Sequence, residues 1–518
     1  MMSRRLLNRG QQCRPLLTAI NKPSRASHAS RFNSSGGSGG GGPSSGPTSR
    51  PGISLSAGLL VGAGATWAYR ESAGAPAAAK LPGTTARTEP GVVPNLDDHH
   101  GWRDDEVSYT PAPSAEDVTK MLNEGAHSYA AGTVSSVANY DVAQLASNSP
   151  CEDAYLHGRF SNPWGSSSGN KQKEEDWMAW AVFDGHCGWQ TSALLTKQLM
   201  PFVKKALLDI GNKDPTEAEI NQALQTAFTR LDDMLITSAQ ATIEGNHSFP
   251  DKIRRLEPGF AGSCALLALY NPTTKSLHIA STGDCRAVVG SKNADNTWAA
   301  TFETVDQTGA NEDEKDRIRK QFPDEPQILA GGRIWGMQPA RTFGDGGWKW
   351  DKDLRARLRK EYNATALPSS VRYSGYKTGP YLTALPVVST VKLPEAPSFM
   401  ILATDGLWDT MSSEEAVDLV GRWCDWKKKG IKPSSSSSTS TTGKQSSPTV
   451  FGDIACRYDN DFSAFQDSNN AAVHLMRNGL GGARDEIVRG ALAFTSPAAR
   501  YIRDDMTVQV VFFGDNKA

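Results

Sequence analysis

A dense apolar run occurs at residues 177–183, WMAWAVF, and it ends at Asp184-Gly185-His186. Large aromatic residues and Val favour a β-strand, and an Asp-Gly pair favours a turn, so we expect the strand to stop at Asp184. The residues that follow predict a helix, because apolar side chains recur on one helical face. These are Leu195, Leu199, Phe202, Val203, Ala206 and Leu207. We interpret this stripe as part of the core.

A longer helix is predicted from Asp214, which would cap it, with Pro215 in the first turn and Glu217 three residues after the cap. Its apolar face is a second candidate for the core. The residues on that face are Ile220, Ala223, Leu224, Ala227, Phe228, Leu231, Met234 and Leu235.

Further strands are predicted where short apolar segments lie between turn residues. They are SCALLALY (263–270), SLHIAS (276–281), RAVVG (286–290), SFMILAT (398–404) and MTVQVVFF (506–513). The first two predict a hairpin, and RAVVG predicts a continuation of the same sheet. A capped helix is predicted near Ser412, with Glu415 three residues on. Strands adjacent in sequence and helices in pairs predict an α+β fold of antiparallel sheets with helices outside, and exclude a doubly wound parallel sheet.

Composition and charge restrict the function. The chain has 518 residues and 38% hydrophobic content, which excludes a chain disordered throughout. Residues 1–70 carry eight Arg, one Lys and no acid, so with a net charge of −1 the remainder carries about −10. An acidic folded part argues against nucleic-acid binding. The seven cysteines include no Cys-x-x-Cys pair, which argues against a disulfide scaffold or a structural zinc site.

The N-terminal residues have the composition of targeting and linking segments. Residues 1–33 are rich in Arg, Leu and Ser, which is typical of a mitochondrial transit peptide, with a basic disordered tail as the alternative. Residues 34–52 are Gly- and Ser-rich and predict a flexible linker. The uncharged segment 51–69 predicts a single membrane span or stop-transfer segment at 53–69, with an Ala/Gly linker as the alternative. Residues 70–105 predict a flexible tether.

The folded part is expected to extend from residue 106 to residue 518, with one interruption. Residues 427–449, KKKGIKPSSSSSTSTTGKQSSPT, predict a disordered Ser/Thr-rich insertion between two helices.

Aspartates lie repeatedly at the ends of the predicted strands. They are Asp153, Asp184, Asp284, Asp405, Asp409, Asp504 and Asp505. Each alone is an ordinary turn residue, but several beside apolar strands in one domain predict a shared site. Converging carboxylates favour hard divalent cations, Mg²⁺ or Mn²⁺, over zinc. A pair of such ions can activate a water for attack on a phosphoryl group, so the pattern indicates phosphoester hydrolysis.

Seven short motifs resemble, in order and form, those of the type 2C metal-dependent Ser/Thr protein phosphatases. They are Cys-Glu-Asp-Ala (151–154), Val-Phe-Asp-Gly-His-Cys-Gly (182–188), Ala-Gly-Ser-Cys-Ala (261–265), Thr-Gly-Asp-Cys-Arg-Ala-Val (282–288), Arg-Thr-Phe-Gly-Asp (341–345), Ala-Thr-Asp-Gly-Leu-Trp-Asp (403–409) and Arg-Asp-Asp-Met-Thr-Val (503–508). The resemblance implies a β-sandwich of two antiparallel sheets flanked by helices, with a dinuclear Mg²⁺ or Mn²⁺ centre at one end.

The resemblance also implies roles for residues. Asp184 would bridge both metals, the Gly185 carbonyl would bind one, and Asp405 and Asp504 would complete the other. Metal-bound waters would be held by Glu152 and Asp153. The weaker third metal site of the family would fall at Asp284 and Asp409, together with Asp405.

The resemblance also bears on three residues that could take part in catalysis or in phosphate binding. His186 matches the family's general acid, which would protonate the leaving seryl or threonyl oxygen, and the alternative is a histidine that only hydrogen-bonds its loop. Cys187 has no partnering base motif, which argues against a cysteine nucleophile. Asn148 stands where many members have an Arg that binds the substrate phosphate, so the resemblance places Asn148 at the phosphate and leaves open what supplies the missing charge.

Several segments are similar to the pyruvate dehydrogenase phosphatase branch of that family. They are Asn-x-Pro-x-Glu-Asp (148–153), Trp-Lys-Trp (348–350), Gly-Pro-Tyr-Leu-Thr-Ala-Leu-Pro (379–386) and the Asp504-Asp505 pair. The expected substrate is phosphoserine of the mitochondrial pyruvate dehydrogenase complex, and the alternatives are other mitochondrial clients or a binding module without catalysis. A span at 51–69 would anchor the protein in the inner membrane, with the domain in the intermembrane space; without it the domain would lie in the matrix. The sequence leaves both locations open.

Overall fold

The structure is a computed structural model that describes residues 111–131, 134, 136–164, 176–211, 214–362, 377, 379–433 and 458–514. The predicted transit peptide (1–33), linker (34–52), membrane segment (53–69) and tether (70–105) lie outside these ranges, as do residues 434–449 of the predicted insertion. Within the described ranges, no helix combines the length and hydropathy needed to cross a bilayer.

The strands and helices alternate in groups along the chain. The strands are β1 (His127–Ala130), β2 (Val137–Leu145), β3 (Ala154–Phe160), β4 (Trp177–Phe183), β5 (Gly185–His186), β6 (Gly262–Ser263), β7 (Ala265–Asn271), β8 (Ser276–Thr282), β9 (Arg286–Lys292), β10 (Trp298–Glu303), β11 (Leu329–Ala330), β12 (Arg333–Ile334), β13 (Phe343–Gly344), β14 (Val387–Lys392), β15 (Ser398–Ala403) and β16 (Met506–Phe513). The α-helices are α1 (Ala115–Glu124), α2 (Gln190–Asp209), α3 (Glu217–Glu244), α4 (Phe249–Phe260), α5 (Glu312–Gln321), α6 (Gly346–Lys349), α7 (Lys352–Glu361), α8 (Asp405–Trp408), α9 (Ser413–Lys429), α10 (Ala471–Gly479) and α11 (Asp485–Ala493).

Two antiparallel sheets form the centre of the fold. One has the strand order β1-β2-β16-β15-β9-β10, and the other has the order β14-β8-β7-β4-β3. A hydrophobic cluster between them draws on both sheets, with Trp180 and Leu266 from one and Met400 and Val511 from the other. The outer face of the second sheet packs on α2 and α3, and that of the first packs on α9, α10 and α11. The predicted α+β sandwich with four layers, α-β-β-α, is therefore confirmed.

Strand β4 shows how sequence produces this layering. Side chains alternate between the two faces of a strand. Trp177, Ala179, Ala181 and Phe183 pack against the helices, whereas Met178, Trp180 and Val182 pack between the sheets. Every residue of β4 is buried, because both faces of its sheet are covered. This explains why the run at 177–183 is continuously apolar.

Three details differ from the sequence expectations. Helix α3 is capped by Thr216, whose hydroxyl accepts from the Glu219 amide in a capping box, so the prediction of Asp214 as the cap is wrong. Met234 is 60% exposed and does not belong to the core face. The third difference concerns β9, which was expected to extend the β7–β8 hairpin. It crosses instead to the other sheet, where it pairs with β10 and β15.

The helix before the predicted insertion is longer than expected. Ser412 caps α9 and Glu415 closes the capping box, as predicted. Helix α9 then continues through Lys427, Lys428 and Lys429 to Gly430, which has a left-handed backbone. The three lysines lie in the last turn, where positive charge is favourable. Residues 427–429, which were expected to belong to the insertion, are therefore helical.

Candidate active site

The strand registers bring the aspartates of distant motifs to one end of the sandwich. In one sheet, Ala403 of β15 pairs with Arg286 of β9 and with Val508 of β16. Asp405 follows Ala403 by two positions. Asp284 precedes Arg286 by two positions, and Asp504 precedes Val508 by four. In the other sheet, Phe183 of β4 pairs with Ala154 of β3, so Asp184 and Asp153 leave the sheet side by side.

Three of these carboxylates converge closely. One carboxylate oxygen from each of Asp184, Asp284 and Asp405 lies within 4.8 Å of the others. Burial raises the pKa of Asp184 well above its usual range, and the carboxylate of Asp405 raises it further. Burial and then Asp504 act in the same direction on the pKa of Asp405. Like charges held this close are costly without a compensating cation.

Neighbouring polar groups hold Asp284 and Asp153 in place. Asp284 Oδ1 accepts from Cys264 Sγ at 3.1 Å, and Asp284 Oδ2 accepts from Gln338 Nε2 at 3.3 Å. Asp153 Oδ2 accepts from the hydroxyls of Thr404 and Thr507, each at 2.8 Å. These hydrogen bonds fix Asp284 within the cluster and Asp153 at the same end of the sandwich.

Asp505 organises the loop that carries Asn148 and Glu152. Its Oδ1 accepts from the Ser147 and Asn148 amides, and its Oδ2 accepts from the Glu152 amide at 2.8 Å. Burial would raise the pKa of Asp505, but the hydrogen bonds that it accepts from these backbone amides lower it below its usual value. Asn148 Nδ2 lies 3.4 Å from Glu152 Oε2 and 3.3 Å from Asp505 Oδ2. The Asn148 amide is thus directed at protein carboxylates.

Glycines permit the close approach of the loops. A Cβ at Gly185 would lie 2.1 Å from the Glu152 carbonyl oxygen, and a Cβ at Gly406 would lie 2.0 Å from the Asp505 carbonyl oxygen. Both distances are too short for any side chain. The two Asp-Gly pairs of the sequence therefore have a packing role beside the aspartates.

Asp504 and Asp505 have different partners. Asp504 forms an ion pair with Arg500, and its charge acts on both Asp184 and Asp405. Asp505 faces the 147–152 loop instead. Asp504 is therefore the member of the pair whose charge reaches both Asp184 and Asp405, and its role as a metal ligand stays a prediction. Asp409 lies one turn after Asp405, its amide donates to the Asp405 carbonyl at 2.7 Å, and its charge also acts on Asp405.

His186 is paired with an acid that lies far away in sequence. His186 Nε2 lies 2.8 Å from Asp345 Oδ2, a spacing at which the ring nitrogen donates to the carboxylate. Burial alone would lower the pKa of His186, but Asp345 raises it above its ordinary value. A Cβ at Gly262 would lie 2.2 Å from His186 Nε2, so only glycine leaves room for this contact.

A buried ion pair supports the segment that carries Asp345. Asp345 is fully buried and has a left-handed backbone, with φ 52°. The amide of the preceding Gly344 donates to Asp232 Oδ1 at 2.9 Å. Lys349 Nζ donates to Asp232 Oδ2 at 2.6 Å and to the Thr342 carbonyl at 2.7 Å. Lys349 and Asp232 thus fix the turn that presents Asp345 to His186.

The donor set fits a hard divalent cation. It consists of carboxylate oxygens, which Mg²⁺ and Mn²⁺ prefer. Burial and the neighbouring carboxylates raise the pKa values of Asp184 and Asp405, and a bound cation would relieve this repulsion. The arrangement can hold cations beside His186, which is the combination that metal-assisted hydrolysis requires.

The sequence prediction missed two residues of this site. The expected residues at 148, 152, 153, 184–186, 284, 405, 409 and 504 all lie at the same end of the sandwich, and Asp284 joins Asp184 and Asp405 directly. Their assigned roles remain predictions. Asp345 was quoted in a motif without a role, and Arg500 was not considered. The only sequence signal for Asp345 was its place at the end of Arg-Thr-Phe-Gly-Asp.

Comparisons with known proteins agree with this geometry. The family model described as protein phosphatase 2C matches residues 145–440, more than half of the chain. A Schizosaccharomyces pombe protein described as a protein phosphatase 2C homolog is 35% identical, over 78% of this chain and 86% of its own. The mitochondrial pyruvate dehydrogenase phosphatase 1 of Saccharomyces cerevisiae is 34% identical, over 77% of this chain and 73% of its own. The human protein of the same description is 31% identical, over 60% and 58%. The chain therefore belongs to the protein phosphatase 2C family and is a serine/threonine protein phosphatase.

Proposed function

We propose that this phosphatase hydrolyses phosphoserine in the mitochondrial pyruvate dehydrogenase complex and so activates the complex, using two Mg²⁺ or Mn²⁺ ions and a weaker third. The observation that carries the proposal is the convergence of Asp184, Asp284 and Asp405 within 4.8 Å of one another beside the His186–Asp345 pair.

Different residues would bind the two main metal ions and the third. Asp184, the Gly185 carbonyl, Asp405 and Asp504 would hold the two ions directly, with Glu152 and Asp153 acting through water. Asp284 and Asp409 would hold the third together with Asp405. Bound ions would supply an activated water and positive charge for the phosphoryl oxygens.

His186 would act as the general acid. A seryl oxygen is a poor leaving group unless it is protonated, and imidazole exchanges protons near neutral pH. Asp345 accepts from Nε2, which leaves Nδ1 as the nitrogen that can pass on a proton. The raised pKa of His186 keeps the ring protonated at higher pH, as an acid requires. Asp345 is therefore a positioning residue for this step.

The pyruvate dehydrogenase complex is inferred to be the substrate from two independent features. Relatives from yeast and human are named as mitochondrial pyruvate dehydrogenase phosphatases. Residues 1–33, outside the described ranges, have the composition of a mitochondrial transit peptide. Together they support a mitochondrial location and this complex as substrate. Residues 51–69 would decide whether the protein is attached to the inner membrane.

The test is phosphate release by the full chain from phosphorylated pyruvate dehydrogenase complex and from a generic phosphoserine peptide, with Mg²⁺, with Mn²⁺ and with EDTA. Asp184→Asn serves as the inactive variant and Asp209→Asn, at an exposed acid on α2, as the matched control. We expect metal-dependent release from the complex at a higher kcat/KM than from the peptide. Equal or poorer action on the complex would reject the client, and release unaffected by EDTA would reject the metal-dependent mechanism.

A further inference from the structure

An arginine lies beside the metal-binding carboxylates and has no role in the proposed mechanism. Arg500 belongs to a short 3-10 helix, Ala498–Tyr501, that precedes strand β16. Its guanidinium forms an ion pair with Asp504, and the two side chains are 32% and 27% exposed. The nearby carboxylates of Asp405 and Asp184 also raise the pKa of Arg500. Arg500 therefore places a positive charge beside the carboxylate cluster.

Arg500 is connected to Asn148 through adjacent aspartates, since Arg500 pairs with Asp504 and Asn148 Nδ2 lies 3.3 Å from Asp505 Oδ2. The charge of Arg500 lowers the pKa of Glu152, against the larger effect of burial. Glu152 in turn is the residue that the Asn148 amide approaches. Glu152 thus lies close to Asn148 and within the electrostatic reach of Arg500. A phosphate bound next to Asn148 would be within the electrostatic reach of Arg500.

Asn148 cannot supply the charge that a phosphate dianion favours. It is neutral, and its amide is directed at Glu152 and Asp505. A second arginine close to the site, Arg286, holds Asp306 with two nitrogens at 3.0 and 2.6 Å and lies over the ring of Trp408. Arg286 is committed to that pair, on the side of Asp409. Asp306 is not an expected metal ligand, whereas the partner of Arg500, Asp504, is one.

We propose that Arg500 is the phosphate-binding cation of this phosphatase, standing in for the charge that Asn148 lacks. A guanidinium has five N–H donors in a planar fork, so it can serve a carboxylate and a phosphate oxygen together. Asp504 is both its partner and an expected metal ligand. A cation at the cluster would therefore compete with Arg500 for Asp504 and favour turning the guanidinium towards the phosphate.

The inference rests on the proposed function, and its test does not need turnover. Isothermal titration calorimetry of the full chain gives the affinity for Mn²⁺ alone and then for inorganic phosphate in saturating Mn²⁺. Arg500→Gln is compared with the wild type. The control is Arg422→Gln, which removes a similar i,i+4 ion pair with Asp418, the Arg422 side chain being 30% exposed.

We expect Arg500→Gln to weaken phosphate binding by about 10- to 100-fold, the loss expected for a charge-assisted contact. Mn²⁺ binding should stay equal or become tighter, because a competing cation has been removed. Arg422→Gln should change neither affinity. Adding Asn148→Arg to Arg500→Gln should recover part of the phosphate affinity. Unchanged phosphate binding in Arg500→Gln, or loss of Mn²⁺ binding along with it, would overturn the proposal.

A measurement on the wild-type protein guards against a variant that fails to fold. Phenylglyoxal labels arginines, and mass spectrometry follows each site separately. Phosphate added in the presence of Mn²⁺ should protect Arg500 and leave labelling of Arg422 unchanged. Equal labelling of Arg500 with and without phosphate would refute its role. A wild type that binds Mn²⁺ but no phosphate would instead overturn the proposed function itself.

Discussion

The buried Lys349–Asp232 pair gives the sharpest prediction for stability. Their side chains are only 4% and 8% exposed, and Nζ lies 2.6 Å from Asp232 Oδ2. Burial raises the pKa of Asp232, and Lys349 offsets this only in part. Lys349→Met would leave a buried carboxylate without its cation and the Thr342 carbonyl without its donor. Breaking a buried pair in this way costs about 3–5 kcal/mol.

A matched control exists on the surface. Lys205 pairs with Asp209 on α2, but these side chains are 69% and 41% exposed. An exposed pair of this kind contributes less than about 1 kcal/mol, so Lys205→Met should unfold almost like the wild type. The assay is urea unfolding followed by tryptophan fluorescence, in EDTA.

A double variant separates the charge from the packing. Asp232→Asn combined with Lys349→Met leaves no buried charge, so it should be more stable than Lys349→Met alone. If Lys349→Met unfolds within about 1 kcal/mol of Lys205→Met, the pair does not stabilise the Asp345 turn in the way described.

Three further predictions concern the site and the core. Asp184→Asn should lower turnover by orders of magnitude and yet raise the free energy of unfolding in EDTA, because it removes one of several repelling carboxylates; near-normal turnover would contradict the metal assignment. His186→Ala should reduce hydrolysis of a phosphoserine peptide by about 10²–10⁴-fold and of an aryl phosphate far less, since only the seryl oxygen needs a proton; equal losses would remove His186 as the acid. Burial lowers the pKa of His474 to about 3 and of His278 to about 4. Both stay neutral in the folded state and gain protons on unfolding below pH ~6.5, so each should cost about 2 kcal/mol of stability between pH 6.5 and 5. The difference between the urea-unfolding pH profiles of the wild type and of a His278→Gln, His474→Gln variant measures this loss, and parallel profiles from pH 7 to 5 would contradict it.

The sequence predicted most of the site because strand ends are local signals. Asp184, Asp284, Asp405 and Asp504 each adjoin an apolar strand that the sequence makes visible. Antiparallel pairing then brings such ends together without further information. The resemblance of the seven motifs to type 2C phosphatases pointed to the same residues.

The contacts that were missed depend on long-range packing. Asp345 and His186 are 159 residues apart, and nothing near Asp345 indicates that its carboxylate faces a ring. The crossing of β9 to the other sheet was also hidden, because a short turn after a hairpin ordinarily continues the same sheet. The prediction of Asp214 as a cap failed because Thr216 with Glu219 offers a complete capping box two residues later.

The most direct test of the account measures bound Mn²⁺ and phosphate release on the same samples of wild type and Asp184→Asn across a Mn²⁺ titration. The account predicts that wild-type release from a phosphoserine peptide rises with occupied metal sites, stops in EDTA, and is lost in the variant together with at least one site. Release that continues in EDTA, or a variant that binds and hydrolyses like the wild type, would contradict the claim that these carboxylates hold the metal centre.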